Sequence, residues 1–255
     1  MAAGIGSRLE NISGNRPKCL IEMDGISLIS RSVSLLAARG ITDITVITGY
    51  KSELVQQELQ NRVSYLHNPY FEVTNSIASL WLAKELLYED LILMNADLYY
   101  ETAVLDTALA QSGNAVMLSD STRIIDADFR FGVAGDRILK TGNQLTDLET
   151  DCEYVGIVRI DKRFVERFRL RLEQMIKSGD FRNWWEGVLY SFIDEGVAIT
   201  HKDVEGAFWS EVDHLEDYNR LSSWISRPQQ AFTATRNKAQ LAGHLNGRGT
   251  PSTAV

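Results

Sequence analysis

The sequence lacks the features that mark several large protein classes. It has two cysteines, Cys19 and Cys152. That is too few for a disulfide framework, so a reducing compartment, the cytoplasm, is the expected setting. No apolar run approaches the ~20 residues that span a bilayer, and no charged-then-apolar leader is visible, so no membrane partner is expected. Three of the four histidines, His67, His201 and His214, are scattered and share no metal-ligand spacing. No Ser-His-Asp or Cys-His grouping offers a nucleophile, and no internal repeat is visible. Positive charge is also short: 26 Lys and Arg stand against 34 Asp and Glu, a net charge of −8. Residues 226–255 hold Arg227, Arg236, Lys238 and Arg248 and no acid, so residues 1–225 carry −12. An acidic body argues against a general nucleic-acid surface.

What remains is an ordinary globular composition, 44% hydrophobic and 24% charged over 255 residues. It is enough for one sizeable core, or a core with a small lobe. Apolar residues at helical spacing run from Leu28 to Ala37, and Gly40 stops them. A β-branched stretch at 43–48 reads as a buried strand, a helix follows over 51–60, and a short strand over 63–66. Residues 76–87 read as a helix and 90–94 as a buried strand that ends at Asn95-Ala96-Asp97. This alternation predicts a mostly parallel, doubly wound sheet with ligands at the carboxyl ends of its strands.

After the strand at 115–118 the pattern changes. A hairpin is expected around Gly135-Asp136, strands over 154–160, 197–201 and 208–212, and helices over 161–177, 183–195 and 215–225. These divide the chain into a first half (1–118), a second half (119–225) and a tail (226–255) rich in small and polar residues that is expected to be disordered.

The stretch Ala2-Ala3-Gly4-Ile5-Gly6-Ser7-Arg8-Leu9, with Pro17-Lys18 close behind, is the most specific signal. Two nearby glycines let the backbone turn tightly and present bare N–H groups to an anion. Arg8 offers a planar fork of donors and Lys18 a compact point charge. Together they outline a triphosphate cradle. Asp97 ends an apolar strand, and an acid there faces a cleft rather than the core. Glu211 and Asp213 alternate on a strand and therefore share a face. For Asp97 the alternative is a helix cap or a structural ion pair, and for Asp213 a cap on the helix that follows.

The order Ala-Ala-Gly-x-Gly-x-Arg-Leu…Pro-Lys resembles the signature of the nucleotidyltransferases that join an NTP to a sugar phosphate or phospho-alcohol. Thr74 to Trp81, Asn95-Ala96-Asp97, Glu153 to Ile157 and Phe208 to Asp213 are similar to the bacterial CTP:phosphocholine cytidylyltransferases and their phosphonate-handling relatives. The resemblance covers most of residues 2–225. It implies a Rossmann-like, doubly wound mixed sheet of the nucleotide-diphospho-sugar transferase type. It further implies that CMP is transferred from CTP to a phosphorylated amine or phosphonate, such as phosphocholine, phosphoethanolamine or 2-aminoethylphosphonate, with loss of pyrophosphate.

In that reading Ala2, Ala3, Gly4, Gly6, Ser7, Arg8 and Asn75 bind the nucleotide. Arg8 and Lys18 are catalytic, and Asp97 and Asp213 hold Mg²⁺. Arg130, Tyr154, Trp185, Tyr190, Trp209 and Glu211 bind the acceptor, with Asp126 and Asp128 beside the same cleft. Two roles stay open for the aromatics, a cage around a cationic head or core packing. Two rival functions also stay open: a sugar-1-phosphate nucleotidyltransferase using another NTP, and a non-catalytic nucleotide-binding protein. In the resembling family a first strand precedes the Ala-Ala-Gly turn, where this chain has Met1 alone. A start placed too late, by roughly 5–10 residues, is the expectation. Oligomeric state is left open.

Overall fold

The computed structural model of the chain describes residues 1–6, 9–124 and 127–227. The expected tail lies outside the described residues from position 228 onward. Among the described residues, twelve strands and eight α-helices follow one another. The first part holds α1 (Glu10–Ser13), the small hairpin β1 (Glu22–Met23) and β2 (Ile26–Ser27), then α2 (Leu28–Ala37), β3 (Thr45–Thr48), α3 (Ser52–Leu59), β4 (Ser64–His67), α4 (Ser76–Leu82), β5 (Leu91–Met94), β6 (Leu98–Tyr100), α5 (Thr102–Leu109) and β7 (Ala115–Asp120). The second part holds β8 (Arg130–Ala134), β9 (Arg137–Gly142), β10 (Cys152–Ile160), α6 (Lys162–Lys177), α7 (Gly187–Asp194), β11 (Thr200–Asp203), β12 (Trp209–Glu211) and α8 (Leu215–Ile225).

The main sheet has the order β5-β10-β7-β11-β9-β8. Strand β10 runs antiparallel to β5, β7 and β8, whereas β11 is parallel to β7 and β3 is parallel to β4. The sheet is mixed, as the resemblance implies, and less parallel than the strand–helix alternation suggests. The chain leaves β7, makes the β8–β9 hairpin and returns as β10, which wedges between β5 and β7 where a parallel neighbour would otherwise sit.

Both faces of this sheet are covered, and β10 shows it residue by residue. Tyr154, Val158 and Ile160 join the cluster beneath α4, α6 and α7, with Ile77, Phe168 and Leu189. Val155 and Ile157 join the opposite cluster with Val104 and Leu105 of α5. Period-two alternation between two apolar layers makes the strand read as a continuous hydrophobic run. Gly156, at φ +87°, sits where the β10–β7 register shifts between Tyr154 and Val158. A side chain there would press on Leu98 and Asn95, so the kink that seats those two residues needs glycine.

The β3–β4 pair lies beside this sheet, joined to β5 by the first two residues. Ala2 bridges β3 in parallel at Thr48, its N–H donating to the Ile47 carbonyl at 2.8 Å. On the other side the Met1 amino group donates to the Met94 carbonyl at 2.8 Å, and the Ala96 N–H donates to the Met1 carbonyl at 3.2 Å. Two residues thus hold the place of a strand between β3 and β5, and all four residues of β5 are only half-buried.

Element bounds differ from the sequence pattern in several places. The helix expected over 183–195 starts at Gly187, because donors in the preceding turn are already engaged: Trp184 N–H by the Asn183 side chain and Trp185 N–H by Ser76 Oγ, at 2.8 and 2.9 Å. The strand expected over 197–201 runs from Thr200 to Asp203. Cys19 and Cys152 are buried and free. Burial raises the Cys152 thiol to about 11, which suits a packing role and not a nucleophile. No helix among the described residues is long and apolar enough to cross a membrane.

Candidate active site

A cleft of about 310 Å³ opens at the carboxyl ends of β4 and β5. Ala3, Gly4, Ile5 and Gly6 line one wall with Lys18, and Asp97, Glu211 and Asp213 line another. Ser7 and Arg8 complete the sequence motif but lie outside the described residues, as does Asp126. Ala2 is buried beneath the turn and anchors it to β3.

Gly6 has φ +68°, a left-handed conformation suited to glycine. A Cβ there would stand 2.3 Å from Lys18 Cγ, so the turn and the lysine stem are packed against each other. Lys18 opens a short 3₁₀ turn (Lys18–Leu20) after Pro17, whose ring fixes the entry at φ −51°. Cys19 and Leu20 enter the core, which leaves the Lys18 side chain directed into the cleft.

The acids come together through one pairing. Strands β6 and β12 run antiparallel with Leu98 opposite Glu211, and the Val212 N–H donates to the Asp97 carbonyl at 3.1 Å. Asp97, Glu211 and Asp213 each present a carboxylate oxygen within 4.8 Å of the others. Lys18 Nζ lies 2.7 Å from Asp97 Oδ2 and also pairs with Asp213 Oδ1. Burial would lower the Lys18 pKa, but Asp97 and Asp213 outweigh it and hold the ammonium well above the ordinary lysine range. Burial, followed by repulsion from Asp97 and Asp213, pushes the Glu211 carboxyl far above its usual value. Asp213 does not cap α8. The cap is His214, and Asp217 reaches back to accept from the Asp213 and His214 N–H groups at 3.1 and 2.9 Å. The Asp213 carboxylate is left to Lys18.

Glu211 is held from behind. Its Oε1 accepts from Asn95 Nδ2 at 3.1 Å, and Asn95 Oδ1 accepts from Trp185 Nε1 at 3.1 Å. Trp185 is fully buried, so it positions the site through Asn95 instead of touching an acceptor. Its neighbour Trp184 is 59% exposed and lines the cleft with Phe71. Adjacent residues on a turn point apart, and composition cannot say which points in. Asn75 lines the cleft as expected, its side chain accepting from Ser76 N–H at the start of α4. Asn68 also lines it and was missed by sequence reading. Its side chain donates to Ser79 Oγ at 2.9 Å and accepts from Tyr70 N–H at 2.8 Å.

Among the described residues the other aromatics assigned to the acceptor form no open cage. Trp209 is 3% exposed, its Nε1 donates to Asp120 Oδ2 at 2.8 Å, and the Arg123 guanidinium covers its ring at 4.5 Å. Tyr190 stacks on Phe129 with centroids 5.0 Å apart. Tyr154 is buried and tilted against Phe131. Arg130 is tied to the 145–147 loop, 2.6 Å from Asp147 Oδ1 and 3.0 Å from the Leu145 carbonyl. Among the described residues it lines neither the cleft nor the smaller cavity beside it, which corrects its assignment to the acceptor.

Residues 1–138 match the model of the MobA-like NTP transferase domain family. The chain belongs to that family. Over 250 residues it is 33% identical to the CMP-5'-(3-aminopropyl)phosphonate synthase of Streptomyces rubellomurinus, covering 90% of this chain but only 39% of that protein. It is 27% identical to the choline-phosphate cytidylyltransferase of Streptococcus pneumoniae, over 87% of this chain and 94% of the relative. The solved structure of the CTP:phosphocholine cytidylyltransferase from Streptococcus pneumoniae superposes with a TM-score of 0.73 at 23% identity, covering 88% of this chain and 96% of that one. That likeness supports the Rossmann-like nucleotidyltransferase fold, and family membership makes the chain an enzyme of nucleotidyl transfer.

Proposed function

We propose that the chain is a metal-dependent cytidylyltransferase that moves CMP from CTP to a small phosphorylated or phosphonate amine, releasing pyrophosphate. The observation that carries this reading is Lys18, packed against the Gly6 turn and paired with both Asp97 and Asp213 at the floor of the cleft. The similarity to a CMP-aminoalkylphosphonate synthase and to choline-phosphate cytidylyltransferases supports CTP as donor and an amine-bearing acceptor.

In the reaction an anionic oxygen of the acceptor attacks the α-phosphorus of CTP. A new P–O bond forms, and the bond to the bridging oxygen breaks as pyrophosphate departs. The acceptor is already anionic, so no general base is needed and catalysis rests on positioning and charge. The turn at Ala3–Gly6 supplies backbone N–H groups for the triphosphate, and the sequence motif assigns Arg8 to the leaving pyrophosphate. Lys18 places its ammonium against the α-phosphate and the incoming oxygen. Asn75, lining the cleft at the start of α4, offers its amide N–H to the base. Asp97, Glu211 and Asp213 are three hard oxygen donors crowded closely enough to repel one another, a set that fits Mg²⁺. Bound there, Mg²⁺ would supply Lewis-acid stabilisation of the charge that builds on the phosphate oxygens. The test is pyrophosphate release across a panel of NTPs and acceptors. CTP with an amine-bearing phosphate or phosphonate is the expected pair, and preference for a sugar 1-phosphate with another NTP overturns it.

A further inference from the structure

The segment 9–17 leads from the phosphate turn to Lys18, and Gly6 and Lys18 on either side of it both line the cleft. At its start Leu9 is buried with Val212 and Leu221, and Ile12 packs against the same cluster. Its far end is Asn15, which is exposed and stands in the left-handed region at φ +62°, directly after Gly14 at φ +59°. Asparagine is one of the few residues that take this conformation readily. Two such residues in succession reverse the chain ahead of Pro17.

The corner after β3 grips both the turn and this far end. Gly49 is packed so closely that a Cβ there would stand 2.5 Å from the Ala3 carbonyl oxygen and 2.7 Å from Phe71 Cβ. That approach lets the Tyr50 N–H donate to the Ala3 carbonyl at 3.1 Å. The Tyr50 hydroxyl donates to Asn15 Oδ1, and Lys51 Nζ donates to the Asn15 carbonyl at 2.6 Å. The Tyr50 ring lies against Phe71 with centroids 6.3 Å apart, and Lys51 Nζ stands 5.4 Å from the Tyr50 ring centroid.

We propose that Tyr50 and Lys51 are positioning residues that clasp the segment 9–17 in its binding shape and so set the affinity for CTP, without touching the reacting atoms. The proposal rests on the reading of the Ala3–Gly6 turn as the triphosphate site and names what holds that site in place. Tyr50 fixes Ala3 through its backbone and Asn15 through its side chain, so two points on opposite sides of the Gly6 turn are held by one residue. A segment fixed beforehand has no conformational freedom left to lose on binding. Unclasped, it would have to be ordered when CTP arrives, and affinity would fall.

The backbone of Lys51 supports this role. It stands at φ +45°, where glycine would sit without strain and a long side chain is uncommon. Lys51 is the cap residue of α3, yet its side chain makes no capping hydrogen bond, and it is only half-buried. What the side chain does at this strained position is hold the Asn15 carbonyl. Strain kept at such a place points to a function that the side chain serves. The Tyr50 hydroxyl is alike in this: the ring packs on Phe71 with or without it, and its bond goes to Asn15.

The test measures binding of CTP with Mg²⁺ by calorimetry, and steady-state rates with phosphoethanolamine, on the full chain. Tyr50→Phe and Lys51→Gly should each raise Kd and KM for CTP about 5–10-fold, the effect of losing one hydrogen bond. At saturating CTP, kcat should stay within about twofold of the parent and the acceptor KM should not change. Lys51→Gly relieves the positive φ, so its melt should match or exceed the parent's. Weaker CTP binding in a protein that is no less stable separates positioning from a structural role. Asn15→Gly keeps the left-handed turn and loses the acceptor for Tyr50, and Tyr50→Phe/Asn15→Gly should bind CTP no more weakly than either single variant. Unchanged CTP affinity in Tyr50→Phe overturns the proposal and leaves the transferase reading intact. So do additive losses in the double variant, and so does a loss confined to Lys51→Gly, which would be the effect of its charge alone. No binding of CTP by the parent protein overturns the transferase reading and the proposal together.

Discussion

Gly6→Ala probes the packing between the phosphate turn and Lys18. At φ +68° an L side chain costs ~1–2 kcal/mol. The new Cβ would also lie 2.3 Å from Lys18 Cγ, well inside contact distance, so the lysine stem must move. The folded protein should lose about 2 kcal/mol, which for a chain of this size lowers Tm by roughly 4–8 °C and leaves it folded at room temperature. The larger effect is on turnover. Displacing the stem draws Nζ away from Asp97 and Asp213, and kcat should fall about 10²-fold. Gly4→Ala is the control for stability: nothing lies within 4 Å of its Cβ position and its φ is not in the left-handed region, so its melt should be unchanged or raised by the equivalent of ~0.5 kcal/mol. The assays are a thermal melt and coupled pyrophosphate release. Turnover within about threefold of the parent in a folded Gly6→Ala protein would refute the link between turn and lysine.

Lys18→Ala and Asp97→Ala should each lower kcat by ~10²-fold or more with the fold intact by circular dichroism. Trp185→Phe removes the donor to Asn95 and should raise the Mg²⁺ concentration for half-maximal activity several-fold, read from a metal titration. Arg130→Ala should leave the acceptor KM unchanged, since that side chain is held by the 145–147 loop.

Burial pushes Glu186 up to about 7. The folded state therefore keeps a proton that the unfolded chain sheds near 4.5, so its contribution is full below pH 4.5 and is lost as pH rises through 7, by about 3 kcal/mol in all. Glu153, also raised to about 7, acts in the same direction. Glu186→Gln should flatten its share of that slope in urea midpoints measured from pH 4 to 8.

The site was legible where chemistry forces residue type onto a strand end or a tight turn. Gly6, Lys18, Asp97 and Asp213 fall in that class, because a turn against an anion needs glycine and an acid closing an apolar strand must face out. The direction of β10 was not legible: a strand buried on both faces has the same composition whichever way it runs. Nor was the choice between Trp184 and Trp185, which depends on a turn set by Asn183 and Ser76. For Trp209 and Tyr190 both a cage and core packing were open, and the covering by Arg123 and Phe129, distant in sequence or in another element, could not be read from the chain. Asn95 was seen as part of a motif, and its link from Trp185 to Glu211 needed three elements placed together.

The most direct measurement follows label from α-³²P-CTP in the presence of Mg²⁺ and phosphoethanolamine. The account predicts a labelled CMP–acceptor product formed in step with pyrophosphate and lost in Lys18→Ala. Binding of CTP by the folded protein without transfer to any amine-bearing phosphate or phosphonate would contradict it.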